Sequence, residues 1–461
     1  MIGAIGRDAG RAWRGTLLEP VLIASVLTLV FLALVVLEPR KFLLVCGVLM
    51  VGAALWMARR YPEASLVTLI GAATLDAEGR IGQVGPATLT LYQVLLVVVL
   101  AYAAWRVWTK RSRLAGTPID VPALLFVAVV AVSVIGALSP ARSVVALVSL
   151  LSSILLVYLV TTIADSPAAL VRLVLGVLGI AAVFAVLALL ESRNIFFIGD
   201  PIRQWDGVIL PHVTFADPNN LGSFLMVSAL LGLPMATIVR GWWPKAIVVG
   251  GAGLCGLALL VSTSRGALGA LLLGVVVLFL GARMHRFYKV AAVALVLLVA
   301  LAVPDPAVIV DELTTVVLDD STRTRFSMAD SALGMARDNP FGVGADNYPL
   351  VYPRYRDSFT RWNLVESHTT PLTLIVEYGV LGLLAFTWIL WRSVTRVWWV
   401  RRQAADPVIR ALAAGALASG IGIIAQSFTY SFETNKFWWL SIAVGMAVYT
   451  AWQRTIAEEV A

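Results

Sequence analysis

The chain has 461 residues, 60% of them apolar and only 13% charged, with a mean hydropathy of +0.89. Soluble proteins carry about 45–50% apolar and about 25% charged residues, so the composition excludes a soluble enzyme. It also excludes a nucleic-acid reader, because a surplus of 35 Lys and Arg over 27 Asp and Glu reports topology in a membrane protein.

The N-terminus places Arg7, Arg11 and Arg14 ahead of an apolar run from Leu17, which superficially resembles a signal peptide. The run is long, ends at Glu38-Pro39-Arg40 and lacks a small-residue cleavage site, so it reads as a first helix that stays. A helix needs about 20 apolar residues to cross about 30 Å of hydrocarbon. The segments that qualify or nearly do are 18–37, 42–58, 89–108, 121–138, 143–163, 168–190, 219–239, 246–262, 266–282, 288–303, 371–391, 410–429 and 437–453. The stretch 62–76 is weaker, being short and opening with Pro62-Glu63. With the N-terminus in the cytoplasm and 62–76 counted as a crossing, most basic residues fall inside. Without that crossing, every basic loop downstream faces the wrong side.

The expected fold is therefore all-α, a polytopic membrane protein of about 12–14 transmembrane helices. Its expected divisions are N-terminal helices (1–190), central helices with an outer loop at 191–218 (191–303), a long extracytoplasmic loop containing helices (304–370) and C-terminal helices (371–461). The long loop carries ten acids and six arginines, and loops of such length tend to be functional. Within it Met328, Ala332, Met335 and Ala336 space as one face of a helix, which Asn339-Pro340 would stop. Cys46 and Cys255 both lie in apolar runs and read as buried thiols. The pairs Trp242-Trp243, Trp398-Trp399 and Trp438-Trp439 read as interfacial belts.

Three outer-face features suit chemistry on an anion. Ser264-Arg265-Gly266 puts an arginine at the start of a helix, where free amides and a guanidinium favour phosphate; a snorkelling arginine is the plain alternative. Ser321-Thr322-Arg323-Thr324-Arg325 opens the loop helix with two arginines, which could equally neutralise Asp319 and Asp320. His368, where the long loop returns to the membrane, sits at a helix start, suited to general-base work or to a structural role. No further histidine pair or tight carboxylate cluster joins it, so neither metal nor cofactor is expected.

These pieces also resemble a known family. Phe215 to Gly222 is similar to an aromatic…Asp/Asn-Pro-Asn opening of a central helix; Ser264 to Ala267 is similar to a Ser-Arg-Gly helix start. Arg325 to Asn347 resembles a loop helix followed by Asn-Pro-x-Gly-x-Gly, and His368 to Gly382 resembles a His-Asn-x-x-Leu…Glu-x-Gly-x-x-Gly return. In this order they resemble the bacterial O-antigen ligase and polymerase superfamily, glycosyltransferases of the inner membrane with periplasmic sites. The resemblance implies a donor glycan on undecaprenyl pyrophosphate, a glycan or lipid-linked acceptor, and contact with membrane lipid. It implies that Arg265 and Arg325 hold the pyrophosphate and that His368 activates the acceptor hydroxyl. Arg323, Asn219, Asn347 and Arg203 are the expected further substrate contacts. Two positions depart from the pattern: Thr369 follows the histidine where Asn is usual, and Ala329 stands where a tryptophan is usual. The competing readings are a flippase for the same lipid-linked sugars, a protein O-oligosaccharyltransferase, and a wall polymerase using Asp330 or Asp338.

Overall fold

The computed structural model describes residues 60–75, 80–84, 87–197, 202–203, 209–262, 264–280, 320–356, 367–431 and 433–460. The predicted segments 18–37, 42–58 and 288–303 lie outside the described residues, as do Cys46 and His285. Every other predicted segment is a helix. In chain order these are α1 (Glu63–Ala73), α2 (Leu91–Trp108), α3 (Asp120–Ser133), α4 (Pro140–Ile163), α5 (Pro167–Ser192), α6 (Pro218–Gly232, continued as a 3-10 turn to Thr237), α7 (Trp242–Val261) and α8 (Arg265–Leu280). After the long loop's own α9 (Asp320–Asp338) and α10 (Tyr348–Val351) come α11 (Thr370–Gln403), α12 (Pro407–Gln426) and α13 (Lys436–Val460). The chain is an all-α polytopic membrane protein. Among the described residues, 7 helices are long and apolar enough to span a bilayer. Two small additions escape a hydropathy reading: a hairpin of β1 (Arg80–Val84) and β2 (Ala87–Thr90), and the two-residue pairing of β3 (Ile202–Arg203) with β4 (Ile209–Leu210).

The bundle is built around α6. This helix is buried throughout from Leu221 to Gly232 and packs against α5, α7, α8, α12 and α13. Small residues permit that crowding. A Cβ on Gly415 of α12 would lie 2.8 Å from the Leu231 carbonyl oxygen, and one on Gly274 of α8 would collide with Leu230. Close helix approach through glycine is a common basis for packing in lipid, where apolar burial by itself drives little association.

Polar contacts sort the helix ends into two levels. At one end Arg172 pairs with Glu63, Arg106 lies 3.9 Å from Asp165, Arg454 donates to the Asp165 carbonyl and Arg392 to that of Pro118. This is the arginine-rich end that the charge count predicts. α1 leaves it at Glu63, and the carbonyl of Thr74, just past its far end, accepts from the Thr214 hydroxyl in the opposite layer. The described part of the segment 62–76 therefore runs between the two levels. It does so as an 11-residue helix, about 16 Å long at 1.5 Å per residue and shorter than a regular span. Ten of those residues are buried, so the surrounding helices rather than lipid enclose it.

In the long loop, α9 buries the predicted face: Met328, Ala332 and Met335 are fully enclosed and Ala336 packs beside them. It ends at Asp338, before Asn339-Pro340. The tryptophan pairs divide. Trp242 and Trp243 stack with centroids 3.7 Å apart and stay largely exposed, as an interfacial belt should. Trp438 and Trp439 do not form a belt: each is 1% exposed, and the Trp439 indole donates to the Glu433 carbonyl. They open α13 inside the bundle.

Candidate functional site

At the end opposite the arginines, three separate motifs meet around one carboxylate. Asp217 is the N-cap of α6, with Pro218 in the first turn, where its missing amide N–H costs nothing. One Asp217 oxygen accepts from the Asn219 and Asn220 amides at 2.7 and 3.1 Å; the other accepts from the Asn220 carboxamide and from the Tyr430 hydroxyl. Asn219 in turn accepts from the Ser264 hydroxyl at 2.9 Å, which fixes the start of α8 and hence Arg265. Gly266 is required beside it, because a Cβ there would strike Thr429. Aspartate cap, Ser-Arg-Gly turn and the α12–α13 connection are thus one assembly.

His368 adjoins the same assembly. Its backbone is left-handed, with φ of 52°, a conformation uncommon outside glycine. Hydrogen bonds on both sides impose it. Ser367 donates to the Thr369 carbonyl at 2.7 Å and shares a hydrogen bond with Thr373, while the Thr370 amide and hydroxyl both reach the Tyr430 carbonyl. The half-buried imidazole lies with its ring centroid 6.0 Å from that of Tyr430. Strain of this kind persists only when the surroundings over-determine it, and it concentrates at functional positions.

The Asn-Pro-x-Gly-x-Gly segment docks on α11 and α4. Val343 and Gly344 donate backbone amides to the Val376 and Glu377 carbonyls, and the buried Glu377 carboxylate accepts from the Asp346 and Tyr348 amides. Arg142 grips Asp346 through two nitrogens at 3.0 and 3.1 Å. Asn347 is fully enclosed: it accepts from the Ser139 amide and donates to Ser143 and the Ala345 carbonyl.

The structure therefore brings together three of the residues picked from sequence: Arg265, which is exposed, with His368 and Asn219. Asn347 instead lies inside the loop anchor, with its carboxamide used within the protein. Arg323 and Arg325 fall in the first turns of α9, and Arg203 falls in β3. Among the wall-polymerase candidates, Asp338 accepts from the Tyr355 hydroxyl at 2.6 Å, whereas Asp330 is exposed. His212 is nine-tenths buried, its Nδ1 2.8 Å from the Phe215 carbonyl and its Nε2 3.9 Å from Glu191, and it locks the approach to α6.

Sequence reasoning missed the α12–α13 connection, which supplies Tyr430, Ser431, Glu433, Thr434 and Asn435. The available signal was a run of hydroxyls, an acid and an amide between two spans on the outer face. The Asn435 carboxamide donates to Asn220 at 2.7 Å, and Asn220, Tyr430 and Asn435 all line a cleft of about 750 Å³. Glu433 is the acid of that run. Its Oε2 is sealed from solvent without a hydrogen-bond partner among the described residues, and burial, aided by Asp346, raises its pKa from 4.5 to about 7. A carboxyl raised in the folded state stabilises it fully below about pH 4.5, and that contribution is lost as pH rises through about 7. Glu433→Gln is accordingly expected to raise the thermal unfolding midpoint at pH 8 and leave it nearly unchanged at pH 4.5. An equal shift at both values would show that ionisation of Glu433 is not the cause.

Residues 250–387 match the family model described as O-antigen ligase, which is consistent with the superfamily resemblance carried by the motifs. The match contains Ser264-Arg265-Gly266, α9, the Asn-Pro-x-Gly-x-Gly loop and His368; the Asp217 cap precedes it and Tyr430 follows it. No curated protein matches the chain.

Proposed function

We propose that this protein, whose residues 250–387 match the O-antigen ligase family model, is a glycosyltransferase of the bacterial inner membrane. It moves a glycan from undecaprenyl pyrophosphate to an acceptor sugar hydroxyl, as an O-antigen ligase or polymerase. The observation that carries the reading is the placement of His368, on strained backbone, against the Tyr430–Asp217 assembly that also seats Arg265. The arginine-rich end lies in the cytoplasm by the positive-inside rule, so the assembly faces the periplasm.

In the proposed reaction the His368 imidazole takes the proton of the acceptor hydroxyl. The oxygen attacks the anomeric carbon of the donor sugar, and the bond from that carbon to the pyrophosphate oxygen breaks. Arg265 and Arg325 neutralise the charge that develops on the departing undecaprenyl pyrophosphate, which is stabilisation directed at the transition state. Arg323 and Arg203 are assigned to the same pyrophosphate or its first sugar. Asn219 and Asn347 act through position, the first by holding Ser264 beside Arg265 and the second by anchoring the loop. The leaving group is already activated, so the scheme uses neither nucleotide nor metal.

The test is an assay with purified protein in detergent, supplied with undecaprenyl-pyrophosphate oligosaccharide and excess chelator. A longer lipid-linked or acceptor-linked glycan is expected. Arg265→Ala is expected to lower turnover about a hundredfold, the usual scale for removing one donor to developing negative charge. Lipid flipping in liposomes without any glycan product would replace this reading with a transporter.

A further inference from the structure

We propose that the connection between α12 and α13 is a clamp that holds the His368 turn and the Arg265 turn in register, with Tyr430 as the positioning residue that spans the two. The inference rests on the glycosyltransferase reading and adds to it a residue that lies beyond the matched stretch 250–387. The two turns belong to different helices, α11 and α8, and chemistry that uses both needs something that fixes one against the other.

Tyr430 reaches them from its two ends. Its backbone carbonyl accepts from the Thr370 amide at 3.1 Å and from the Thr370 hydroxyl at 2.9 Å, just past His368. Its side-chain hydroxyl donates to Asp217. That cap orders Asn219 through its other oxygen, and Asn219 accepts from Ser264, immediately before Arg265. The spacer between these ends is one aromatic ring governed by two χ angles, so it transmits position with little slack. The ring also lies beside the imidazole, at 6.0 Å between centroids.

The flanking residues repeat the pattern. Ser431 places its hydroxyl 2.8 Å from that of Thr373 and 3.5 Å from that of Ser367, which brackets His368 from the connection. Thr429 fills the space that a side chain on Gly266 would take, and the Asn435 carboxamide donates to Asn220 at 2.7 Å. The connection is itself fixed by its neighbours. The Ser153 hydroxyl of α4 donates to the Thr434 carbonyl at 2.8 Å, and the Trp439 indole donates to that of Glu433 at 2.9 Å. It therefore joins the two turns through anchored backbone rather than through a free loop. Tyr430→Phe separates this role from folding. It keeps the ring and the carbonyl and removes the bond to Asp217. Asp217 retains the Asn219 and Asn220 amides and the Asn220 carboxamide, so α6 stays capped.

The experiment takes two readouts on the purified full-length protein in detergent: glycan transfer from undecaprenyl-pyrophosphate oligosaccharide, and modification of His368 by diethyl pyrocarbonate. The chain has 3 histidines, so mass spectrometry follows each separately. Tyr430→Phe is expected to lower kcat about 10²-fold at unchanged KM, the scale on which a displacement of about 1 Å acts. It is also expected to speed modification of the half-buried His368. Ser431→Ala, which leaves the Asp217 side alone, is expected to move both readouts in the same direction and decides the matter if Tyr430→Phe does not fold. Ser419→Ala removes the buried 2.7 Å hydrogen bond between Ser419 of α12 and Ser441 of α13 without touching the connection, and is expected to change neither readout. Parental turnover in both Tyr430→Phe and Ser431→Ala, unchanged His368 modification, or an equal loss in Ser419→Ala overturns the clamp. Faster His368 modification in Tyr430→Phe, with no transfer by the parent from any donor, overturns the enzyme reading and leaves the clamp standing.

Discussion

His368→Ala is expected to lower glycan transfer by about 10²–10⁴-fold, the range that a positioned general base contributes, while leaving the fold intact. The side chain is half-buried, and Ser367, Thr370 and Thr373 supply hydrogen bonds that shape this turn. His368→Gly separates the two roles of the position. Glycine enters the left-handed region without a Cβ penalty, so at φ of 52° the glycine variant is expected to match or exceed the parent in thermal stability while remaining as inactive as the alanine variant. The measurement is transfer rate and unfolding midpoint on the same preparations. Full transfer in either variant would remove His368 from the mechanism. A glycine variant that unfolds well below the alanine variant would mean that the backbone there is not strained.

How much of this arrangement is readable from sequence depends on what each signal reports. Hydropathy reports the solvent a segment prefers, so it locates the helices, and the charge count orders their ends; both agree with the grouping of Arg106, Arg172, Arg392 and Arg454 at one level. Periodicity reports a buried face, which is why Met328, Ala332 and Met335 were legible within a polar loop. Neither signal reports tertiary contact. Trp438 and Trp439 have the composition of an interfacial belt, yet both are buried in the bundle and the Trp439 indole bonds to the α12–α13 connection. Tyr430 sits 213 residues from Asp217, a separation over which no local pattern links the two side chains. The motif residues also differ in what the structure shows of them. Asp217, Asn219, Gly266 and Asn347 make contacts within the protein, and such residues leave the same trace in sequence as Arg265 and His368, to which the proposed chemistry is assigned.

Gly342→Val is expected to destabilise the protein by more than about 4 kcal/mol, a loss reserved for a few named mechanisms, and to abolish transfer although residue 342 is assigned no part in the chemistry. Two left-handed glycines interlock here. Gly342 has φ of 88°, and a Cβ on it would enter the backbone of Glu377 and lie 2.8 Å from the Gly379 nitrogen. Gly379 has φ of 67° and breaks α11 into two helical parts; a Cβ on it would lie 2.5 Å from the Pro340 carbonyl oxygen. A side chain at 342 thus meets both a conformation closed to a β-branched residue and backbone that cannot move aside without releasing the Val343–Val376 and Gly344–Glu377 hydrogen bonds. Those bonds tie the long loop to the first turns of α11, against which α9 also packs, so separation of the loop also releases the helix that carries Arg323 and Arg325. Gly253→Ala in α7 provides the opposite sign, since a Cβ there meets nothing within 4 Å and alanine gains about 0.5–1 kcal/mol over glycine inside a helix. Thermal unfolding of the pair in one detergent decides the matter. Were Gly342→Val to melt at or above the parent temperature, the loop could not be seated on the kink of α11 through backbone contact.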